Sequence, residues 1–167
     1  MNTTRSSEGA REPQVRCIGA SDGDLLALLG AVPRIRVSSR ETLGTFFVGE
    51  AKLPPHAFVP LHYHPDVEVF VVLKGTLEVM RLSDGKPESL PIASGEMALI
   101  PSNAVHGFRN TSAGFVDLLL IGGPGIEGFL REGSERAGQD SAQPSPDEFA
   151  RMVEIAKRHG QVFLGDR

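Results

Sequence analysis

The residues best suited to chemistry are two histidines and an acid near the middle of the chain. His62 and His64 are one residue apart, so on an extended strand both imidazoles face the same side. On a straight strand Glu68 would lie about 13 Å from His64, too far to share an ion whose ligand bonds are about 2 Å. Because Pro65 and Asp66 favour a turn, we predict that the chain reverses there and brings Glu68 back beside the histidines.

A fourth candidate ligand comes from a distant segment. Residues 95–106 have the pattern of a strand, a turn that contains Pro101, and a second strand that begins near His106. Asn103 is able to adopt the positive φ that such a turn needs. His106 would then project from the second strand, with Asn110 on the same face.

Short strands must position these residues. From Arg34 to Ile121, brief runs of β-branched and aromatic residues alternate with clusters of Gly, Pro, Asn and Asp. Such spacing is typical of an all-β sandwich or barrel. The absence of an internal repeat argues against a propeller or a chain of two barrels. The sequence therefore predicts a single β-barrel.

Helices are expected only towards the two ends of the chain. Ser21 and Gly30 bracket a leucine-rich segment that fits a short N-terminal helix. Ser145 and Glu148 form a capping box that opens a clearer C-terminal helix over residues 146–160. The remaining parts are a disordered tail, a barrel with an N-terminal extension and a polar linker, which we assign to residues 1–14, 15–130 and 131–145.

The two histidine segments resemble the paired motifs of the cupin superfamily. The first motif, G-x5-H-x-H-x3,4-E-x6-G, is matched by His62, His64, Glu68 and Gly75. The second, G-x5-P-x-G-x2-H-x3-N, is matched by Gly95, Pro101, His106 and Asn110. His56 and Asn103 replace one glycine in each motif, and we expect His56 to be a loop histidine, the alternative being an extra polar group of the pocket. The resemblance implies a single jelly-roll barrel, similar to small single-domain cupins of the quercetin-dioxygenase-like group.

The resemblance also implies that four residues bind one metal ion, namely His62, His64, Glu68 and His106. Burying these polar groups without a cation would be costly, because each would need hydrogen-bond partners inside an apolar barrel. Three imidazoles and one carboxylate suit Fe(II), Mn, Ni, Co or Zn better than Ca or Mg. Four protein ligands leave two positions of an octahedral ion open, as in a catalytic centre rather than a closed structural one.

Three functions are compatible with such a site. The first is a dioxygenase that acts on an enolic or phenolic small molecule, with Glu68 as a ligand and possible general base. The second keeps the metal as a Lewis acid, in an isomerase, lyase or cyclase that does not use O₂. The third is a cupin that binds a small molecule without catalysis.

Composition limits the partners. The chain has 167 residues and a formal net charge of −4, which argues against a nucleic-acid surface. Its single cysteine excludes a disulfide framework. The N-terminal residues lack the apolar core of a signal peptide, and the most apolar stretch, 115–121, is too short to span a membrane. We therefore expect a cytoplasmic homodimer that binds a small-molecule substrate, with no nucleic-acid or membrane partner.

Overall fold

The computed structural model describes residues 14–28, 31–136 and 145–165, and two antiparallel sheets make up most of this part of the chain. In chain order the strands are β1 (Asp24–Leu25), β2 (Val32–Val37), β3 (Phe47–Leu53), β4 (Phe58–Tyr63), β5 (Glu68–Lys74), β6 (Thr76–Ser83), β7 (Lys86–Ala93), β8 (Met97–Ile100), β9 (His106–Arg109), β10 (Val116–Gly122) and β11 (Val162–Phe163). The helices are α1 (Pro124–Arg136) and α2 (Pro146–Arg158), which both precede β11.

The two sheets enclose a shared apolar core. One sheet has the strand order β1-β2-β3-β10-β5-β8, and the other has the order β11-β4-β9-β6-β7. Burial alternates along the inner strands, so that Val116 and Leu118 of β10 are buried while Asp117 between them is partly exposed. Phe70 of β5 and Leu77 of β6 complete the core from the two sheets. This is the period-2 pattern of packed sheets, and it confirms the predicted all-β class and its jelly-roll form.

The glycine positions of both sequence motifs are turn positions with positive φ. Gly75 and Gly95 have φ values of 89° and 88°, in the region where a side chain is disfavoured. His56 and Asn103, which stand in place of motif glycines, adopt the same region with φ of 63° and 61°. The replacements therefore keep the turn geometry, as predicted for Asn103.

The prediction of a short N-terminal helix between residues 21 and 30 is wrong for the part of this segment that the structure describes. The segment instead contains strand β1, which pairs antiparallel with Arg34 and Ile35 of β2, and Leu26 donates its N–H to the carbonyl of Pro33 at 2.8 Å. Pairing with the edge of a sheet satisfies the backbone there and outweighs a modest local preference for helix. The assigned tail, residues 1–14, lies outside the described residues except for its last position.

Helix α1 was not predicted, and its last six residues occupy the start of the segment that we assigned to a polar linker. Gly125, Gly128 and Gly133 lower its intrinsic helix propensity by about 1 kcal/mol each. The same glycines allow close packing: a Cβ at Gly128 would lie 2.5 Å from the His159 ring, and one at Gly133 would lie 2.9 Å from Leu28. Tertiary contacts therefore stabilise this helix despite its low intrinsic propensity. Residues 137–144 of the assigned linker lie outside the described part.

Helix α2 begins as the capping box predicts. The Ser145 hydroxyl accepts the N–H of Glu148, and the Glu148 carboxylate accepts the N–H of Ser145. The apolar stripe of the helix buries Met152 and Ala156, and Met152 packs with residues of α1. The two helices lie together over one end of the barrel, where they line the cavity described below. Among the described helices, none combines the length and apolar character needed to cross a membrane.

Candidate metal centre

Three neighbouring strands bring the four predicted ligands together. His62 of β4 is directly opposite His106 of β9, in the same sheet. His64 follows the end of β4, and Glu68 is the first residue of β5, which belongs to the other sheet. The chain thus reverses between His64 and Glu68 and crosses from one sheet to the other, so the predicted reversal is present.

The four side chains are buried and close to one another. Each residue is no more than 7% exposed. One ring nitrogen from each of His62, His64 and His106 lies within 4.8 Å of the other two. Glu68 Oε2 lies 3.3 Å from His64 Nε2 and 3.5 Å from His106 Nε2.

All three imidazoles are oriented by the same kind of backbone hydrogen bond. The Nδ1 atoms of His62, His64 and His106 each lie 2.9 Å from a carbonyl oxygen two residues away, those of Pro60, Asp66 and Ala104 respectively. Since a carbonyl oxygen only accepts, each Nδ1 carries the proton and donates it. In a neutral ring this leaves the lone pair on Nε2, which is the tautomer that a metal ligand needs.

The inner nitrogens then lack a protein partner. In the described part of the chain, His64 Nε2 and His106 Nε2 are fully buried and make no hydrogen bond. Their nearest polar neighbour is the Glu68 carboxylate, which offers only lone pairs. Lone pairs that face one another across 3.3–3.5 Å require a positive charge between them, either a proton or a metal ion.

The pKa shifts agree with this arrangement. Burial, aided by the neighbouring His106, lowers the pKa of His62 to about 4, so that this ring is neutral at pH 7. Burial alone would raise the pKa of Glu68, but the neighbouring imidazoles of His106 and His64 favour its ionised form, outweigh burial and lower that pKa. Burial opposes charge on His64 as well, but the carboxylate of Glu68 outweighs it and raises the pKa of that ring. Both of these shifts, the raised pKa of His64 and the lowered pKa of Glu68, favour an ion pair between the two side chains when no metal is bound.

These residues fit a divalent transition metal. Donors bonded at about 2.1 Å to one ion lie about 3–4 Å apart, so the observed spread needs only small side-chain rotations. His62, His64 and His106 would bind through nitrogen, and Glu68 would bind through oxygen. The carbonyls on each Nδ1 supply the outer contacts that usually orient metal-bound histidines.

Asp66 connects the reversal to helix α1. Its carbonyl accepts the His64 Nδ1–H, and its carboxylate Oδ2 accepts the N–H of Ile126 at 3.0 Å, in the first turn of the helix. A Cβ at Gly123 would lie 2.3 Å from this carboxylate, so the glycine makes room for it. The sequence predicted Asp66 as a turn residue, but its contact with α1 depends on a helix that was not predicted.

Two polar residues of the motifs take no part in the centre. His56 is exposed in the turn before β4, as expected for a loop histidine, and does not line the cavity. Asn110 is buried, and its amide donates to the carbonyls of Pro54 and Gly114 at 2.9 and 2.7 Å. Its position after β9 therefore serves to hold two loops together.

The centre opens into an apolar cavity of about 170 Å³ between the barrel and the helices. Both sheets contribute to its wall, for example through Phe70 and Phe108, and the helices contribute Phe129 and Met152. Three of the predicted ligands line it, and one further polar side chain, Gln161, lies among the described lining residues. The sequence analysis did not find Gln161, because a lone glutamine after a helix carries no chemical pattern.

Comparison with known proteins finds a domain match for part of the chain and two curated relatives. A family model for the cupin domain matches residues 49–122. Auxin-binding protein 1 from Arabidopsis thaliana is 36% identical over 84 residues, which are 47% of this chain and 42% of that protein. Cupincin from Oryza sativa subsp. indica is 25% identical over 138 residues, 72% of this chain and 29% of that protein. The chain thus spans less than half the length of these curated relatives.

Two solved structures have a similar fold. A predicted oxalate decarboxylase from Thermotoga maritima superposes with a TM-score of 0.57 at 20% identity, covering 65% of this chain and 98% of its own. The polyketide cyclase RemF from Streptomyces resistomycificus superposes with a TM-score of 0.57 at 17% identity, covering 85% of this chain and 96% of its own. The motif residues, the jelly-roll sheets and these matches agree: residues 49–122 match the model of the cupin domain, and the fold of the chain is similar to that of these two structures.

Proposed function

We propose that this protein is a metal-dependent cupin enzyme, and specifically a dioxygenase whose substrate is an enolic or phenolic small molecule. The observation that carries the proposal is that three histidine nitrogens and one carboxylate converge, and that three of these four residues line an apolar cavity. A closed structural metal site would not open into a cavity that a substrate can enter. We also propose that the protein belongs with the quercetin-dioxygenase-like cupins.

The residues of the site have separate tasks in this proposal. A bound metal ion would supply positive charge for a substrate oxygen and a position for O₂. Glu68 is ionised at neutral pH, because its pKa is lowered, and can accept the hydroxyl proton of an arriving enol or phenol. His62, which stays neutral, keeps its lone pair available to the ion.

The cavity wall favours a neutral organic substrate. Among its described lining residues there is no lysine or arginine, and most of the wall is aliphatic or aromatic. A phosphate or a dicarboxylate would bury charge there without a cationic partner beyond the metal, which is costly. An aromatic molecule with one ionisable oxygen fits both the wall and the centre.

The proposal is tested with tag-free protein stripped of metal and reloaded with Fe(II), Mn(II), Ni(II), Co(II) or Zn(II). We expect O₂ uptake with a panel of flavonols and 1,3-diketones for at least one redox-active ion, and none for the apoprotein. Turnover of the same panel without O₂ on the Zn(II) protein would instead indicate a Lewis-acid isomerase, lyase or cyclase. Metal-independent binding without turnover would indicate a non-catalytic binding protein.

We further propose a homodimer formed through the outer face of the larger sheet. Outward-facing apolar residues of β5, β8 and β10 lie in adjacent cross-strand positions, and they are Val69, Val71, Met97, Leu99, Leu119 and Ile121. Met97 and Leu99 are 64% and 65% exposed, and among the described strands β8 has a partner on one side only. An apolar face at an open sheet edge suits the self-complementary contact of a twofold dimer.

The variant Leu99→Asp tests this dimer. A charge in the centre of the face should weaken self-association, so light scattering should show a monomer at concentrations where wild type is a dimer. Leu43→Asp, which changes an equally apolar side chain that is 96% exposed in a loop, is the matched control and should stay dimeric. A monomeric wild type would overturn the proposal.

A further inference from the structure

Among the described residues that line the cavity, Gln161 is the one polar side chain besides the predicted metal ligands. The residue is 3% exposed and lines the cavity wall. Within the described part of the chain its side-chain amide makes no hydrogen bond to protein, although its backbone N–H donates to Ala156 at 2.9 Å. An amide that lines a cavity and has no protein partner is available to hydrogen-bond a ligand there.

The end of helix α2 fixes the position of this side chain. Gly160 has a φ of 78°, and the N–H of Gln161 reaches back five residues to the Ala156 carbonyl. This is the hydrogen bond of a Schellman stop, in which a left-handed glycine turns the chain sharply out of the helix. The turn sends the following residues, β11, along the edge of strand β4.

The register of β11 places Gln161 on the metal side of the sheet. Val162 pairs with Tyr63 and Phe163 pairs with His62, so Gln161 lies at the level of His64. Opposite residues of antiparallel strands share a face, and the face alternates along each strand. The Phe163 ring indeed lies 5.2 Å from the His62 ring. Gln161 therefore belongs to the same face as the two histidines.

We propose that the Gln161 amide is a substrate-positioning group that donates a hydrogen bond to a second oxygen of the substrate, adjacent to the oxygen bound at the metal. The inference rests on the proposed function, and it narrows the substrate class to molecules with two neighbouring oxygens, such as a hydroxyl beside a carbonyl. One oxygen would be the ionised enol or phenol, and the other would be a neutral acceptor.

Two further features of the site favour this class. The free amide is close to the ligand residues rather than at the far end of the cavity, so the two oxygens must be near neighbours in the molecule. An amide N–H pairs with a neutral carbonyl, and the remaining wall offers apolar contact to the rest of the substrate.

A pair of matched probes tests the proposal. 2-Hydroxyacetophenone carries a carbonyl beside its phenol, and 2-ethylphenol replaces that carbonyl by a methylene group. Both are titrated calorimetrically into Zn(II)-loaded wild type, the variant Gln161→Leu and the control Met152→Leu, which alters another cavity residue without a polar group. We expect Gln161→Leu to reduce the affinity for 2-hydroxyacetophenone about tenfold, which is the loss typical of one hydrogen bond. Its affinity for 2-ethylphenol should stay within about twofold of the wild-type value.

The outcomes separate this inference from the function on which it rests. Met152→Leu should change the affinity of both probes by a similar factor, and all three proteins should hold the same amount of Zn(II). If Gln161→Leu lost affinity for both probes by the same factor, the inference would be overturned. Any preference of the site for the probe with a carbonyl would then come from the metal alone. Failure of the loaded wild type to bind either probe would instead contradict the proposed function.

Discussion

Two buried glutamates occupy very different surroundings in this molecule. Glu127, 3% exposed in the first turn of α1, accepts hydrogen bonds from the Ser38 hydroxyl, the Ser39 N–H and the Arg131 guanidinium at 2.7–2.8 Å. Glu68, 7% exposed, faces imidazole nitrogens that make no hydrogen bond. The protein supplies hydrogen-bond donors to the first carboxylate and leaves the second beside imidazole nitrogens that have no partner.

This is the difference expected between a carboxylate that stabilises the fold and one that is a candidate metal ligand. Glu127 joins helix α1 to the loop after β2, and its hydrogen bonds outweigh burial and lower its pKa. Its negative charge also lies at the favourable end of the helix dipole. Glu68 joins two sheets only through a shared cation, because the groups around it cannot donate unless they are protonated. We therefore expect opposite consequences when each charge is removed.

The largest effect is expected for Glu68→Gln in the metal centre. Loss of the one anionic ligand should reduce Zn(II) or Co(II) affinity by at least about 100-fold, which equilibrium dialysis measures. The free energy of unfolding of the apoprotein should change by less than about 1 kcal/mol, since the lost ion pair is offset by relief of a buried charge. A metal affinity equal to that of wild type would remove Glu68 from the ligand set.

Glu127→Gln should have the reverse profile. The charge-assisted hydrogen bonds to Ser39 and Arg131 are lost or weakened, so urea unfolding should show a decrease of about 2 kcal/mol in stability. Metal affinity should stay within about twofold of wild type, because Glu127 is not among the ligands. A variant that loses metal while keeping its stability would reverse the roles that we assign to the two acids.

The smallest effect is a pH dependence that belongs to Glu127. Because its pKa is lower in the folded chain than the ordinary value of 4.5, the unfolded chain binds the proton first as the pH falls. The stabilising contribution is therefore complete above about pH 4.5 and is lost as the pH falls through the folded-state pKa. The free energies of unfolding of wild type and Glu127→Gln, measured with urea, should accordingly converge as the pH falls below about 4.5. A difference that stays constant over this range would mean that the charge of Glu127 adds nothing to stability.

The convergence of the four candidate ligands could be predicted from sequence because most of them lie close together in the chain. The parity of His62 and His64 and the turn at Pro65 and Asp66 fix three ligands within seven residues, and the second motif adds His106. The backbone acceptors of the histidines lie two residues away as well, so they belong to the same local turns. Such features require little knowledge of the rest of the fold.

The parts that sequence did not predict depend on tertiary contacts. Helix α1 contains three glycines that disfavour it locally, and it forms because those glycines fit against Asp66, His159 and Met152. Strand β1 replaces an expected helix because it finds an open edge at β2. Gln161 gains its significance only from the register of a two-residue strand, which no periodicity in the sequence indicates.

X-ray absorption at the Co K-edge of tag-free protein loaded with Co(II) tests the metal centre most directly. Wild type should bind one ion per chain, with the scattering signature of three imidazoles and lighter oxygen ligands at about 2.1 Å. His64→Ala should lose this spectrum while keeping the β-sheet circular dichroism of wild type, since the apolar core does not depend on the ion. Substoichiometric binding by wild type, or an imidazole signature that His64→Ala leaves unchanged, would contradict a metal centre at His62, His64, Glu68 and His106.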